Sequence, residues 1–425
     1  MTDTMTPNSG RIRGLDAVRG VAVMGILAMN IHGFAMPGGT YFNPAAYGGD
    51  QGLDWFAWAF NFIFVDSKMR GLFSVLFGAS TLLVMERALA SSRRPALAHY
   101  ARMGWLLVFG LIHFYLIWWG DVLVLYAMCG MLLYLFRNLS VRALRRWAIG
   151  LLTASFLLVG AQSVGLMAAK SGAIPGAQSQ DMDRTLAKLD EFLGTDQAAV
   201  RRDLTHYRSD YATIAGTRLR EKTAEPFQSF FQFGLETLGL MILGMALFRS
   251  GMLRGQWEQA RYRRWAITCF AIAVLPLTAL VWYQVAAGYD ALAIFGASLA
   301  WSMPFDTVMT LGWAALVMML ALHWSGHALT KRVAAAGRMA FTNYLTTSIV
   351  MTTVFYGYGL GLYGQFGRAA LYLVVIAMWA AILAWSKPWL DRFAYGPFEW
   401  LWRSLSRFEL QPMRKRRDSL AGAAV

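Results

Sequence analysis

The chain has 425 residues, 57% of them hydrophobic and 15% charged, with a net charge of +15. A soluble domain carries about a quarter charged residues, so an ordinary soluble fold is excluded. The positive charge does not mark a nucleic-acid protein either, because it is gathered into short segments between apolar spans. These are Arg11 and Arg13; Arg87, Arg93, Arg94 and Arg102; Arg137, Arg142, Arg145 and Arg146; Arg249, Arg254, Arg261, Arg263 and Arg264; Lys331, Arg332 and Arg338; and the tail Arg414 to Arg417. That is the positive-inside pattern, with added attraction to anionic lipid headgroups.

Apolar runs of about 18 residues or more recur along the chain, the pattern of an all-α polytopic membrane protein. Nothing alternates as outer-membrane barrel strands do. With the basic clusters inside, the sequence predicts about ten spans and two cytoplasmic termini: 14–34, 70–90, 103–119, 121–137, 146–168, 227–249, 264–287, 304–323, 338–357 and 369–387. Residues 53–66 and 291–303 are too short to cross alone and read as re-entrant or interfacial helices. The first run is long and no small-residue cleavage site follows it, so it is expected to stay as a helix.

Three parts follow: a five-helix half (1–168) with a polar core, an extracytoplasmic insert (169–226), and a second five-helix half (227–425) with a basic tail. The insert's nine basic and nine acidic residues cancel. Leu186, Leu189, Phe192 and Leu193 predict short amphipathic helices there, forming either a cap over the outer face or a linker. Cys129 and Cys269 fall in apolar spans without metal or redox spacing and read as packing residues.

The first span, GLDAVRGVAVMGILAMNIHGF, carries Asp16, Arg19, Asn30 and His32. Polar groups at membrane depth are expensive and mark function. Eleven steps separate Arg19 from Asn30, which leaves a rotation of only about 20° and a rise of about 16 Å, so both lie on one face. His32 falls about 220° from Arg19. Gly33 and Pro37 predict that the helix ends there, so His32 either lines the outer mouth or is solvated.

A second polar concentration is LIHFYLIWWGDVLVLY, with His113 eleven residues beyond Arg102 and therefore at the depth of Asn30. A histidine oriented by a carboxylate, here Asp121, is a usual general base. The alternative is that His113 bonds a neighbouring helix while Asp121 caps one. His99, His323 and His327 flank inner loops, and no histidine or cysteine pair has ligand spacing, so no metal is expected. YGYGLGLYGQFG contains a formal G-x-G-x-x-G but follows a membrane helix, not a strand; it reads as a flexible outer loop. Intramembrane Glu236 reads most simply as neutral and hydrogen-bonded. GRMAFTNYL (337–345) and GPFEWLWR (396–403) place Arg338, Asn343, Tyr344, Glu399, Trp400 and Arg403 at the cytoplasmic boundary, where an aromatic belt or a docking nucleotide would use them.

LDAVRGVAVMGILAMNIHGFAMPGGTYFNPAAYGG, SKMRGLFSVLFGAS, LIHFYLIWWGDVLVLYAMCG, GRMAFTNYL, FYGYGLGLYG and GPFEWLWR, in that order, resemble the signatures of the YeiB-like bacterial membrane proteins. The likeness spans nearly the whole chain apart from the insert. That family is grouped with the transmembrane acyltransferases, which include heparan-α-glucosaminide N-acetyltransferase. The link is an Arg, ten residues, then Asn, as Arg19 and Asn30 stand here. The resemblance implies that Asn30, with His32, belongs to an active site. Acyltransferase-3 proteins place His where this chain has Asn30, and an asparagine donates to an oxyanion rather than acting as a base.

The implied reaction moves an acyl group from cytoplasmic acetyl-CoA or another acyl-CoA to an outer hydroxyl or amine. Arg19, Asp16, Arg338, Asn343, Trp400 and Arg403 would bind the coenzyme, Asn30 would steady the oxyanion, and His113 with Asp121 would take the acceptor's proton. With no activated Ser or Cys in view, transfer is expected to be direct. The alternative is a secondary transporter using the same buried groups. The expected setting is the bacterial inner membrane, and small-residue helix faces point to a homodimer.

Overall fold

The computed structural model describes residues 7–90, 94–173 and 180–414. Arg93, Lys415, Arg416 and Arg417 lie outside the described residues, as do the side chains of Arg11, Arg13 and Arg87. In chain order the helices are α1 (Pro7–Ala35), α2 (Gly52–Phe60), α3 (Lys68–Ala90), α4 (Pro95–Ile112), α5 (Leu123–Leu133), α6 (Val141–Lys170), α7 (Gln180–Leu193), α8 (Gln197–Tyr207) and α9 (Tyr211–Glu221). There follow α10 (Glu225–Arg249), α11 (Gln259–Ala286), α12 (Ala291–Phe295), α13 (Met303–His323), α14 (Ala328–Arg338), α15 (Ala340–Phe355), α16 (Arg368–Arg392) and α17 (Pro397–Arg407). Among the described residues the β structure is confined to one isolated bridge, Phe393 to Arg414.

Eight described segments are long and apolar enough to cross a membrane, which makes this a multi-pass membrane protein: Gly14–Ala35, Gly52–Glu86, Pro95–Ile117, Val141–Lys170, Glu225–Arg249, Gln259–Ala286, Met303–His323 and Arg368–Arg392. The predicted spans 121–137 and 338–357 take shorter form, as Leu123–Phe136 and the 16-residue α15. Residues 53–66, expected as a re-entrant or interfacial helix, are continuous with the next apolar segment. α2 runs on through a π turn, Asn61–Val65, and α3 starts two residues after Asp66. Between them Ser67 adopts φ 58°, and its N–H donates to its neighbour Asp66 Oδ1 at 2.9 Å. A short side-chain acceptor holding its own turn lets the chain break without unfolding the apolar run.

α1 is the central element: 78% of its membrane stretch is buried inside the bundle, against 22% for α6 and 28% for α4, α11 and α16. The peripheral helices therefore turn apolar side chains such as Leu157, Leu275 and Leu373 outward, as lipid contact requires. α3 and α10 cross closely because each offers a glycine. A Cβ on Gly78 would lie 1.8 Å from Met241 O, and one on Gly244 1.9 Å from Val75 O. Small residues let backbones approach where the hydrophobic effect cannot drive helices together.

The insert forms short helices, as its apolar spacing predicts. Asp196 and Asp210 cap α8 and α9 by accepting from Ala198 and Thr213 N–H. It packs on the end of the bundle that carries residues 36–49 and 356–364. Asp203 accepts from Gly38 N–H at 2.7 Å, Gly357 N–H donates to Tyr207 O at 2.9 Å, and Tyr207 lies 4.9 Å from both Tyr356 and Tyr363. The YGYGLGLYG segment is consequently a docked turn, not a flexible loop. Gly364 N–H reaches Ala35 O at 2.7 Å and the Tyr363 hydroxyl reaches Met36 O at 2.7 Å.

Candidate functional site

α4 does not stop at His113 but widens into a π turn, His113–Ile117, closed by Trp118 N–H on His113 O at 2.8 Å. Such turns recur at functional sites because they rotate side chains out of helical register. The chain then doubles back, bringing Asp121 Oδ1 to 2.8 Å from His113 Nδ1, with both side chains no more than 1% exposed. The other carboxylate oxygen, Oδ2, accepts from Val124 N–H at 2.8 Å at the start of α5. Asp121 thus does both things the sequence left open: it orients the histidine and caps a helix. His113 Nε2 is buried and has no hydrogen-bond partner among the described residues. The ring lies 5.1 Å from that of Tyr344 on α15.

Tyr344 also joins His113 to the first helix. Together with Thr347 and Ser348 it faces Val23, Ile26, Leu27, Asn30 and Phe34 across a narrow crevice between α1 and α15. Its free space is about 10 Å³, room for roughly one water. The polar stripe is therefore a closed seam in this state, with Val23 and Ile26 between its charged and amide ends. Asn30 Oδ1 accepts from the Tyr41 hydroxyl at 3.3 Å, which also approaches Asp66 Oδ1 at 3.5 Å. This leaves the Asn30 NH₂ as its donor group. A larger open groove of about 350 Å³ lies between α6, α11 and α12, away from these residues, and includes the Lys170–Asp290 pair.

His32 is a correction. α1 continues to Ala35, with Met36 N–H still bonding His32 O at 2.9 Å, so the imidazole neither projects from an exit loop nor meets solvent. Pro37 stops the helix only after that bond is made, since it lacks an N–H of its own. His32 is 0% exposed, lies edge-on to Tyr372 at 6.1 Å, and has both ring nitrogens without a partner among the described residues. The Tyr372 hydroxyl and Arg368 Nε and Nη1 are buried and unpartnered in the same sense, while Arg368 Nη2 holds Thr40 O and Asn43 O.

Glu236 is hydrogen-bonded, as the sequence suggests, and its partner is a cation: Arg70 Nη2 lies 3.2 and 3.1 Å from its two oxygens. A further buried pair, Lys68 and Asp306, closes at 2.6 Å. Removing charge from water is costly, and each partner offsets the other's penalty.

At the opposite end, Arg19 donates to Asp16 Oδ1 at 2.7 Å and to Ser80 Oγ at 2.9 Å. Arg102, which the sequence used only as a depth marker, stacks 4.2 Å above Trp402, whose Nε1 donates to Arg102 O at 3.0 Å. Arg403 lies beside Trp402 in sequence, over the Tyr395 ring. Arg338 is exposed and only grazes Ala394 O at 3.5 Å. Asn343 does not face this surface. It is fully buried and braces α15 to Ala336 O and Ser386 Oγ at 3.0 and 3.2 Å, because the break at Met339 turns its side chain between α14 and α16. Trp400 is tied to Gln411 O at 2.7 Å, leaving Trp402 as the ring that carries a stacked arginine. Glu399 accepts from Phe341 and Thr342 N–H at 2.7 and 3.1 Å and from the Thr342 hydroxyl, so it caps α15. Burial raises its carboxyl above the ordinary range, against those hydrogen bonds.

Comparison with known proteins bears on the whole chain. Residues 247–409 match the family model described as "Protein of unknown function (DUF418)". The "Uncharacterized protein YeiB" of Escherichia coli (strain K12) is 34% identical over 92% of this chain and 95% of its own length. This chain belongs to the DUF418 family, with YeiB. The "Uncharacterized protein YxaH" of Bacillus subtilis (strain 168) is 32% identical over 97% of this chain and 98% of its own. An "Uncharacterized 39.9 kDa protein in amylase 3'region" of Bacillus acidopullulyticus is 23% identical over 96% and 97%. No solved structure matches.

Sequence reasoning missed Tyr344 as the link between Asn30 and His113, and missed Arg368, Tyr372 and Lys68 entirely. The signal for Lys68 and Arg70 was present: two cations within an apolar segment, SKMRGLFSVLFGAS, call for buried anions.

Proposed function

We propose that this protein transfers an acyl group from cytoplasmic acyl-coenzyme A, acetyl-CoA among the candidates, to a hydroxyl or amine acceptor on the outer side of the bacterial inner membrane. The observation that carries the reading is the His113–Asp121 pair at 2.8 Å, with His113 Nε2 buried and uncommitted. The acceptor oxygen or nitrogen attacks the thioester carbonyl while its proton passes to His113 Nε2. The carbon–sulfur bond breaks, and the imidazolium returns the proton to the departing thiolate. Asn30, its carbonyl occupied by Tyr41, donates its amide to the oxyanion. Arg102 on Trp402, with Arg403 and Arg19 near the same end, supplies the cations and flat ring that nucleotide phosphates and a base require. Asp16 holds Arg19, and the α1–α15 seam is the course for the pantetheine arm.

A thermal-shift series with acetyl-CoA, longer acyl-CoA and free coenzyme tests this, since a ligand that binds the native state raises its apparent stability. No shift with any of them counts against the reading. A second reading, a secondary transporter, draws on the buried Lys68–Asp306 and Arg70–Glu236 pairs. Coenzyme-independent solute uptake into vesicles would favour it.

A further inference from the structure

α9 buries Ile214, Ala215 and Arg218 on one face. The first two are what an amphipathic helix offers a core. Arg218 is not: it is 2% exposed, and Nε, Nη1 and Nη2 all lack a hydrogen-bond partner among the described residues. Arginine does not shed its charge on burial, and an uncompensated buried charge is among the costliest arrangements a fold can keep. Elsewhere in the insert Arg202 is paired with Glu191 and Lys222 with Glu225.

α9 packs on a cluster of tyrosines: the Tyr211 ring lies 5.4 Å from that of Tyr358, which lies 5.9 Å from Tyr356, itself 4.9 Å from Tyr207. The Tyr356 hydroxyl is likewise fully buried and unpartnered among the described residues. Asp203, the half-buried acid of α8, accepts from Gly38 N–H. Two kinds of donor, a guanidinium fork on α9 and a phenol of the tyrosine cluster it packs on, are thus both buried without an acceptor among the described residues. α9 also lies over the turn that carries His113: Tyr211 donates to Leu116 O at 2.9 Å and Tyr115 donates to Thr223 O at 2.6 Å.

We propose that Arg218 and Tyr356 form a binding site for an oxyanion, phosphate or carboxylate, carried by a molecule that reaches the His113 turn beneath the insert. The planar guanidinium suits such a group in two-point fashion, and the phenol adds a third donor. Reading that molecule as the acyl acceptor rests on the acyl-transfer proposal; the anion site does not.

The test uses the full-length protein in detergent at constant ionic strength, with Tm followed as potassium phosphate replaces potassium chloride, and separately with glycerol 3-phosphate against glycerol. The expected result is a saturable rise in Tm for wild type that is absent in Arg218→Met and needs several-fold more phosphate in Tyr356→Phe. A glycerol 3-phosphate response at lower concentration than inorganic phosphate identifies an organic ester as the occupant; equal concentrations identify the free anion. Either upholds the site. Equal responses of wild type and Arg218→Met overturn it, as does a silent wild type beside a more thermostable variant. Should Arg218→Met fail to fold, an unchanged half-saturation in Tyr356→Phe overturns it. A coenzyme series on the same samples separates the two ideas, because loss of the coenzyme response with the phosphate response intact counts only against acyl transfer.

Discussion

Arg70 on α3 meets Glu236 on α10 through one nitrogen placed nearly equally between two carboxylate oxygens, at 3.2 and 3.1 Å. Arg70 also sits over the Phe233 ring at 5.5 Å, and its backbone carbonyl accepts from the Tyr126 hydroxyl at 3.0 Å. The pair therefore lies at the crossing of α3, α5 and α10, the same crossing that Gly78 and Gly244 bring close.

Breaking that pair on one side leaves a charge buried alone, which costs about 3–5 kcal/mol. Glu236→Leu is expected to lose stability on that scale, whereas Arg70→Met with Glu236→Leu recovers most of it. Denaturant or thermal unfolding of the two proteins in one detergent decides the matter. A double variant as weak as the single one would mean the pair is not the cause.

His113→Ala should lower acyl transfer by about 10²–10⁴-fold, the usual span for losing a general base, while leaving coenzyme binding in place. Arg102→Ala should act the other way, weakening the coenzyme response because both a cation and its stack on Trp402 are lost. Activity and thermal shift measured side by side would expose a reversal of this pattern.

Glu399 caps α15 from another helix, and Phe398 N–H returns a bond to the Thr342 hydroxyl at 3.0 Å. Removing such a cap costs about 1 kcal/mol, and up to about 2 where the site is buried. Glu399→Ala should fall by that amount and Glu399→Gln by less, since an amide oxygen still accepts. Indistinguishable stabilities of the three proteins would refute the capping role.

His206 in the insert titrates below its ordinary value of 6.5, chiefly from burial, with Lys222 and Arg218 adding and Asp203 and Glu221 opposing. As pH falls through 6.5 the unfolded chain takes a proton that the folded insert still refuses, so stability declines toward the lower folded value. Asp203 works against this nearer 3.8, because burial raises its carboxyl and lets the folded state bind a proton first. Tm of wild type should drop as pH falls below 6.5, and His206→Gln should flatten that part of the curve. Parallel curves would rule the histidine out.

Much of the fold was legible because hydropathy is local. The long apolar helices, the short element at 291–303 and the insert's amphipathic helices each follow from spacing within a few turns, whereas the continuation of 53–66 toward α3 did not. The His113–Asp121 contact was legible for the same reason: the two are eight residues apart across one glycine break. The course of residues 31–36 was not, since Gly33 is an ordinary helix-ending signal, whereas distant segments meet the end of α1: Phe34 stacks on Trp118 and Gly364 N–H reaches Ala35 O.

What the sequence by itself determined is a positively flanked, multi-pass helical bundle with a charge-balanced insert and polar groups at matched depth, because composition and periodicity act through neighbours along the chain. The tertiary structure alone decided which of those groups meet. Tyr344 reaching both Asn30 and His113, Glu236 answering Arg70 across 166 positions, and the burial of Arg218 on α9 depend on contacts between distant segments. In a membrane core the cost of each unpaired polar atom selects such partners, and that cost is set by where helices cross, not by where residues fall in the chain.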